Sequence, residues 1–177
     1  MKKLTSLAMI FMLVLLPAIP ANADEPLYGV MDLEFNLGWP GPQDAIPDWF
    51  GVITIDGEEY PMAFFNIGTG KPFVDPSKQP LLALGGHVIF FGEIWKIYES
   101  ASFDFDTQEL VEGPVLLEGT DEGVVTLANS TYRMNGRVEE ASLPFEDREG
   151  RNVHMSGIIE WHTFGAPNFA PGTLRIN

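Results

Sequence analysis

The sequence predicts an all-β protein, an antiparallel up-and-down β-barrel of about eight to ten strands with little helix. Short segments alternate between apolar and polar residues, tight-turn signals separate them, and no long helical crossover lies between them. Parallel strands need such crossovers, whereas antiparallel neighbours need only short turns. Full closure leaves no exposed edge strand, which favours a barrel over an open sandwich.

The first predicted strand shows the alternation most clearly. Residues 28–37 place Met31 and Leu33 on one face, and Asp32 and Glu34 on the other. Such a period of two is typical of a strand with one buried face and one solvated face.

The remaining elements follow from the same pattern. The other predicted strands are 49–55, 58–67, 87–99, 102–106, 109–118, 124–127, 131–141, 152–162 and 173–176. Asp56-Gly57 is a favoured two-residue hairpin turn, and residues 121–123 and 146–150 are also read as turns. One short helical turn is expected near residues 79–84.

The first 23 residues have the three parts of a cleavable signal peptide. Lys2 and Lys3 precede an apolar run over 7–19, and small residues follow at 21–23. An uncleaved membrane anchor is the alternative, but the run is shorter than the roughly 20 apolar residues that a span needs. We therefore expect a single domain over residues 24–177 that is secreted or periplasmic and free of the membrane after cleavage.

Composition excludes several classes of function. The chain has no cysteine, so disulfides, thiol catalysis and cysteine-ligated zinc are ruled out. Its formal net charge of −15 opposes binding to nucleic acid or to anionic lipid. No nucleotide, nucleophile or metal motif is present, and His87, His154 and His162 do not have metal-ligand spacing. We expect no cofactor and no bound metal.

The long connections predict which end of the barrel binds a ligand. In a meander, residues 38–48, 68–86 and 163–172 fall at one end, and the short 56–57 turn falls at the other. Binding loops on rigid scaffolds cluster in this way, and barrel mouths are common ligand sites. The residues expected to contact a small apolar or aromatic ligand are Trp39, Trp49, Phe64, Phe73, Phe91, Trp95 and Phe164. The alternative is that these aromatic residues only fill the end of a solid barrel.

Acids within predicted strands are the candidate catalytic groups. Glu34, Glu93 and Glu160 lie inside strands, where acids are disfavoured. Glu93 is flanked by apolar residues on both faces of its strand, which favours burial. Two glutamates with His154 would form a general acid and base. Alternation within 152–162 favours the other interpretation for Glu160, in which it shares a solvent-facing side of the strand with His154.

Residues 88–98 are apolar on both faces of the predicted strand, and the barrel interior accounts for only one of these faces. One face fills the barrel, and the other must be covered by a loop or by a second copy of the chain. A homo-oligomer is therefore expected as one alternative.

The strand rhythm, with the stretch from Gly136 to Val138 and that from Gly150 to Gly157, resembles small secreted barrels of the calycin type or the allene-oxide-cyclase-like type. This resemblance implies the fold, and it carries over no functional residue because no family site motif is matched. Three hypotheses follow: a barrel that binds a small apolar or aromatic ligand, a cyclase, isomerase or hydrolase that uses buried glutamates, or an interaction protein with a filled core. The residues favour a binding protein over an enzyme.

Overall fold

The computed structural model describes residues 25–36, 45–66, 88–126, 128–162 and 167–177. The predicted signal peptide and the helical turn near 79–84 lie outside these ranges. Within them, no helix combines the length and the hydropathy that crossing a bilayer requires.

Ten strands make up the described fold. They are β1 Leu27–Phe35, β2 Trp49–Ile55, β3 Glu58–Asn66, β4 Val88–Tyr98, β5 Ala101–Asp104, β6 Glu109–Glu112, β7 Val115–Thr126, β8 Thr131–Ala141, β9 Asn152–Ile158 and β10 Gly172–Ile176. Eight of them close into a barrel in the order β1-β10-β9-β8-β7-β4-β3-β2, while β5 and β6 form a separate two-stranded sheet. Every neighbouring pair is antiparallel, so the predicted fold class is confirmed.

Strand β1 shows how alternation produces the barrel wall. Leu27, Met31 and Leu33 are buried inside, whereas Val30 and Asp32 face outward and are exposed. The strand pairs with β2 on one side and with β10 on the other, so the first and last strands close the barrel.

The predicted turn at residues 121–123 is wrong. Strand β7 runs without a break from Val115 to Thr126, and Gly123 pairs with Phe91 on one side and Met134 on the other. The turn propensity of an Asp-Glu-Gly sequence is local, whereas pairing on both edges of the strand satisfies its backbone groups throughout. The last long strand is also shorter than predicted and ends at Ile158.

The two ends of the barrel differ. One end of the barrel, here called the rim end, contains the last residues of β1, β3, β7 and β9 and the first residues of β2, β4, β8 and β10. At the opposite end, the two-residue turn Asp56-Gly57 joins β2 to β3, and Phe145 is buried with its ring edge-on to Tyr60 at 5.8 Å between centroids. Phe145 therefore closes that end of the core. The strand ends that flank 38–48, 68–86 and 163–172 lie at the rim end and the 56–57 turn lies at the other end, as predicted. That other end, here called the closed end, also carries the longer segments 99–114 and 142–151, so its connections are not all short.

The hairpin formed by β5 and β6 covers part of the outer barrel surface. Ala63, Phe65 and Tyr98 form a second apolar cluster on the outside of β3 and β4, and Leu110 of the hairpin packs against it. The apolar outer face near the end of β4 is thus covered by a segment of the same chain. This was one of the two predicted alternatives, the other being cover by a second copy of the chain. The expectation of a homo-oligomer remains a prediction.

Candidate functional site

The rim end contains a cavity of about 140 Å³ among the described residues. Its walls are mostly apolar, and its acidic groups are Asp48 and Glu93. The lining residues are Leu33, Phe35, Asp48, Trp49, Phe64, Glu93, Val125, Tyr132, Met134, Ile159, Trp161 and Ala170. Trp161 is 51% exposed, so the cavity wall reaches the protein surface at this end.

Asp48 is held at the start of β2 by backbone hydrogen bonds on both sides. Its N–H donates to the carbonyl of Phe64 at 2.9 Å, and its carbonyl accepts from the N–H of Asn36 at 2.8 Å. These bonds extend the β1–β2–β3 ladder by one residue and fix the Asp48 backbone. The side chain is fully buried and lines the cavity.

Glu93 and Asp121 are direct neighbours across the β4–β7 pair. Both are interior residues with exposures of only 3% and 4%. Asp121 pairs on its other side with Gly136, where an added Cβ would lie 2.7 Å from the Asp121 Cβ and 2.0 Å from the Thr120 carbonyl oxygen. The absence of a side chain at residue 136 therefore makes room for Asp121 inside the wall.

Asp48 and Glu93 form a coupled acidic pair. Burial raises the pKa of Asp48, hydrogen bonds from Glu93 and from the backbone N–H groups of Asp48 and Trp49 offset part of that rise, and the resulting pKa is about 7 against an ordinary 3.8. Burial also raises the pKa of Glu93 well above its usual range, and the charge of Asp48, the charge of Asp121 and the hydrogen bond to Asp48 add to that rise. Glu93 therefore keeps the proton and donates it toward Asp48.

The carboxylates of Asp48 and Asp121 lack ordinary donors. Neither oxygen of Asp48 or of Asp121 accepts a well-formed hydrogen bond from an N–H group of the described chain. The nearby backbone N–H groups of Asp48 and Trp49 offset only part of the effect of burial on the pKa of Asp48. Burial raises the pKa of Asp121, and the charge of Asp48 raises it further. Buried charges are normally paired with cations or donors, so this cluster is unusual for a purely structural core.

Aromatic side chains form a large part of the remaining cavity wall. The rings of Phe35 and Trp49 are tilted at 58° with their centroids 5.0 Å apart. The hydroxyl of Tyr132 donates to the carbonyl of Ala170 at 3.4 Å. Burial raises the pKa of Tyr132, and the charge of Glu93 adds to the rise, so this phenol stays protonated.

The structure brings together three of the predicted site residues. Glu93, Trp49 and Phe64 line the cavity. Trp95 is fully buried in the barrel interior, next to Gly119, but does not line the cavity.

The other predicted site residues are not placed with Glu93. Glu34 is half-buried on the face opposite to Leu33, and its partial burial raises its pKa. Glu160 and His154 are exposed, and a ring nitrogen of His154 lies 2.9 Å from the side-chain oxygen of Asn135. Trp39, Phe73 and Phe164, together with the side chain of Phe91, lie outside what the structure describes.

Asp48 and Asp121 were missed by the sequence reasoning. Asp48 falls at the end of a predicted loop, and Asp121 falls in the turn that proved to be strand. The sequence contains one signal for Asp48. It lies directly before a strand rich in aromatic and β-branched residues, and a residue in that position can face the core.

The fold and the site define an up-and-down β-barrel with an apolar cavity at one end and buried carboxyl groups in the cavity wall. No family model, curated protein or solved structure matches the chain. Within the described ranges, no group of three or more His, Cys, Asp or Glu residues is arranged to hold a metal ion.

Proposed function

We propose that this protein binds a small, largely apolar ligand in the rim-end cavity. The observation that carries the proposal is the cavity itself, which measures about 140 Å³ and is lined mainly by aromatic and aliphatic side chains. An apolar cavity of roughly 150 Å³ is enough to hold one benzene ring. The ligand, or the part of it that enters the cavity, is therefore about the size of one aromatic ring.

The burial pattern supports a binding role over a solid core. At the closed end, Phe145 packs edge-on against Tyr60 and is only 7% exposed. At the rim end, Phe35 and Trp49 remain only half-buried although both line the cavity. A ligand between these rings would remove further apolar surface from water, which stabilises the complex by about 25 cal/mol per Å² before association costs.

Export is part of the proposal. The basic, apolar and small-residue segments over 1–23 support a protein that works outside the cytoplasm. Purification from the native host's exported fraction is therefore the appropriate source of protein for identifying a ligand.

A titration with benzyl alcohol, which is neutral and has a single ring, tests the proposal. We expect saturable binding by calorimetry and a change in tryptophan fluorescence, because Trp49 and Trp161 line the cavity. In Val125→Phe, the larger side chain fills the cavity, and affinity should fall by about tenfold or more. Val111→Phe, at a 58% exposed position on the hairpin, is the control and should bind normally. Absence of binding to the unaltered protein by benzyl alcohol and by its charged analogues would refute the proposal.

A second candidate is a barrel enzyme that moves protons. The specific observation in its favour is the Asp48–Glu93 pair, in which one acid holds a proton while the other has a pKa of about 7. Such a pair suits general acid and base chemistry on a ligand in the cavity. Native mass spectrometry of the exported protein, followed by incubation of any released molecule with fresh protein, would distinguish turnover from simple binding.

A further inference from the structure

Among the described residues, the acidic groups of the cavity have no positively charged partner. Asp48 and Glu93 line the cavity, and Asp121 lies behind Glu93 in the next strand. No lysine, arginine or histidine is among the described residues that line this cavity. Lys96, on the outer side of β4, is instead within 3.5 Å of Glu118 and 3.8 Å of Glu112.

Asp48 is the strongest indication of the charge that a ligand of this cavity carries. It is fully buried, it faces the cavity, and neither carboxylate oxygen accepts a well-formed hydrogen bond from an N–H group of the described residues. The proton of Glu93 is the hydrogen-bond donor that the protein itself offers to Asp48. A buried carboxylate costs several kcal/mol unless a cation or hydrogen-bond donors compensate it. A protonated amine supplies both, because an ammonium group carries one positive charge and up to three N–H donors.

The aromatic wall fits the same ligand. Phe35, Trp49, Phe64 and Tyr132 line the cavity, and aromatic faces attract cations more strongly when water is excluded. A ligand with a ring at one end and an ammonium at the other would place its ring among these residues and its charge at the acids. An anionic ligand would instead meet the carboxyl groups of Asp48 and Glu93 and no cation among the described lining residues.

We propose that the ligand of the rim-end cavity is a small aromatic or aliphatic amine, bound as its cation through Asp48 and Glu93. This inference rests on the proposed binding function and specifies its ligand class. Asp48 and Glu93 accept the ammonium N–H bonds, and Asp121 lies next to Glu93 on β7.

Binding is coupled to proton release. Without a ligand, Glu93 holds a proton that it shares with Asp48. The titratable groups next to this pair are Asp121 on β7 and the phenol of Tyr132 on β8. An ammonium ion beside the pair favours the ionised carboxylates, so the shared proton passes to solvent as the cation enters. No bond within the ligand changes.

Three ligands of nearly equal size and shape provide the test: benzylamine, benzyl alcohol and benzoate, which are cationic, neutral and anionic near neutral pH. Calorimetry should show benzylamine binding about tenfold or more tightly than benzyl alcohol, and benzoate most weakly. In buffers with different ionisation enthalpies, the apparent heat of benzylamine binding should differ, which reports the released proton.

Asp48→Asn keeps the shape of the side chain and removes its charge. We expect it to abolish the preference for benzylamine over benzyl alcohol while benzyl alcohol still binds. Glu93→Gln should reduce the preference in the same direction. Asp32→Asn removes the same charge from the exposed outer face of β1 and should leave the preference unchanged.

The outcomes separate this inference from the binding function. If benzyl alcohol binds as well as benzylamine, or if benzoate binds best, the amine assignment is overturned while the cavity remains a ligand site. If none of the three binds, the proposed function fails as well. A benzylamine preference that survives in both Asp48→Asn and Glu93→Gln also overturns the role given to the carboxyl pair.

Discussion

The side-chain amide of Asn36 donates a hydrogen bond of 2.6 Å to the side-chain oxygen of Gln108, which is 72 residues later in the chain. Asn36 follows the last residue of β1 at the rim end, and Gln108 lies at the tip of the β5–β6 hairpin. The hairpin leaves the barrel at the closed end, runs along its outside and reaches the rim. One hydrogen bond thus connects the outer cover to the cavity end.

This connection predicts a measurable coupling between the two residues. Asn36→Ala, Gln108→Ala and the double variant form a thermodynamic cycle, and urea unfolding should give a coupling free energy of about 0.5–1.5 kcal/mol. Gln108 has a φ of 61°, in the left-handed region, so Gln108→Gly is a useful comparison that loses the bond without adding backbone strain. A coupling energy of zero would mean that the contact does not hold the hairpin tip.

The buried acids predict that stability falls as pH rises. The folded-state pKa values of Asp48, Glu93 and Asp121 are raised above their unfolded values. Each acid therefore contributes stability that is complete below its unfolded pKa, near 4, and is lost as pH rises through the folded pKa. For Asp48 this window runs from 3.8 to about 7, and the contribution is at most roughly 4 kcal/mol.

Asp48→Asn should flatten that pH dependence. We expect the variant to unfold with a free energy about 1–3 kcal/mol higher than the unaltered protein at a pH of about 8, and nearly the same free energy at a pH of about 4. Chemical denaturation across this pH range measures the difference. Equal slopes for both proteins between these limits would contradict the assignment of Asp48 as a buried titrating group.

The outer cluster predicts how the hairpin is held. The hydroxyl of the buried Tyr98 donates to Glu112 of β6 at 2.6 Å. Tyr98→Phe should therefore lower the free energy of unfolding by about 1–2 kcal/mol and speed amide exchange in β5 and β6. Tyr60→Phe loses a similar bond to the exposed Glu58, at 2.8 Å. That control should change stability much less, and equal effects of the two variants would argue against burial as the deciding factor.

Gly136 predicts a steric limit within the acidic wall. An added Cβ would lie 2.0 Å from the Thr120 carbonyl oxygen, which is a backbone atom and cannot rotate away. Gly136→Ala should cost about 1–3 kcal/mol in unfolding free energy, whereas Arg133→Ala on the exposed face of the same strand should be nearly neutral. An unaltered melting temperature for Gly136→Ala would show that β7 and β8 can separate at this point.

The sequence predicts the barrel well because the features that define its strands and turns involve residues close together in the chain. The alternation around Met31 and the Asp56-Gly57 turn depend only on neighbouring residues, and the observed β1 and β2–β3 hairpin follow them closely. The predicted turn at 121–123 fails because pairing with both β4 and β8 outweighs local propensity. The position of the β5–β6 hairpin outside the barrel is equally non-local.

The candidate site is only partly predictable for the same reason. Glu93 stands out because its own strand is apolar on both faces. The burial and the raised pKa values of Asp48 and Asp121 depend on residues far along the chain. Asp48 is held by β3 and lies against Glu93 of β4, and Asp121 lies between Glu93 and Gly136. Such proximity arises only when the barrel closes.

Pairing of Leu27 with Ile176 closes the barrel at the pole farthest from the cavity. A purification tag or a solid support attached after the last strand is therefore at the closed end. The rim-end cavity then points away from the point of attachment. Protein immobilised through residue 177 should capture small molecules from a flowing solution as freely as untethered protein does.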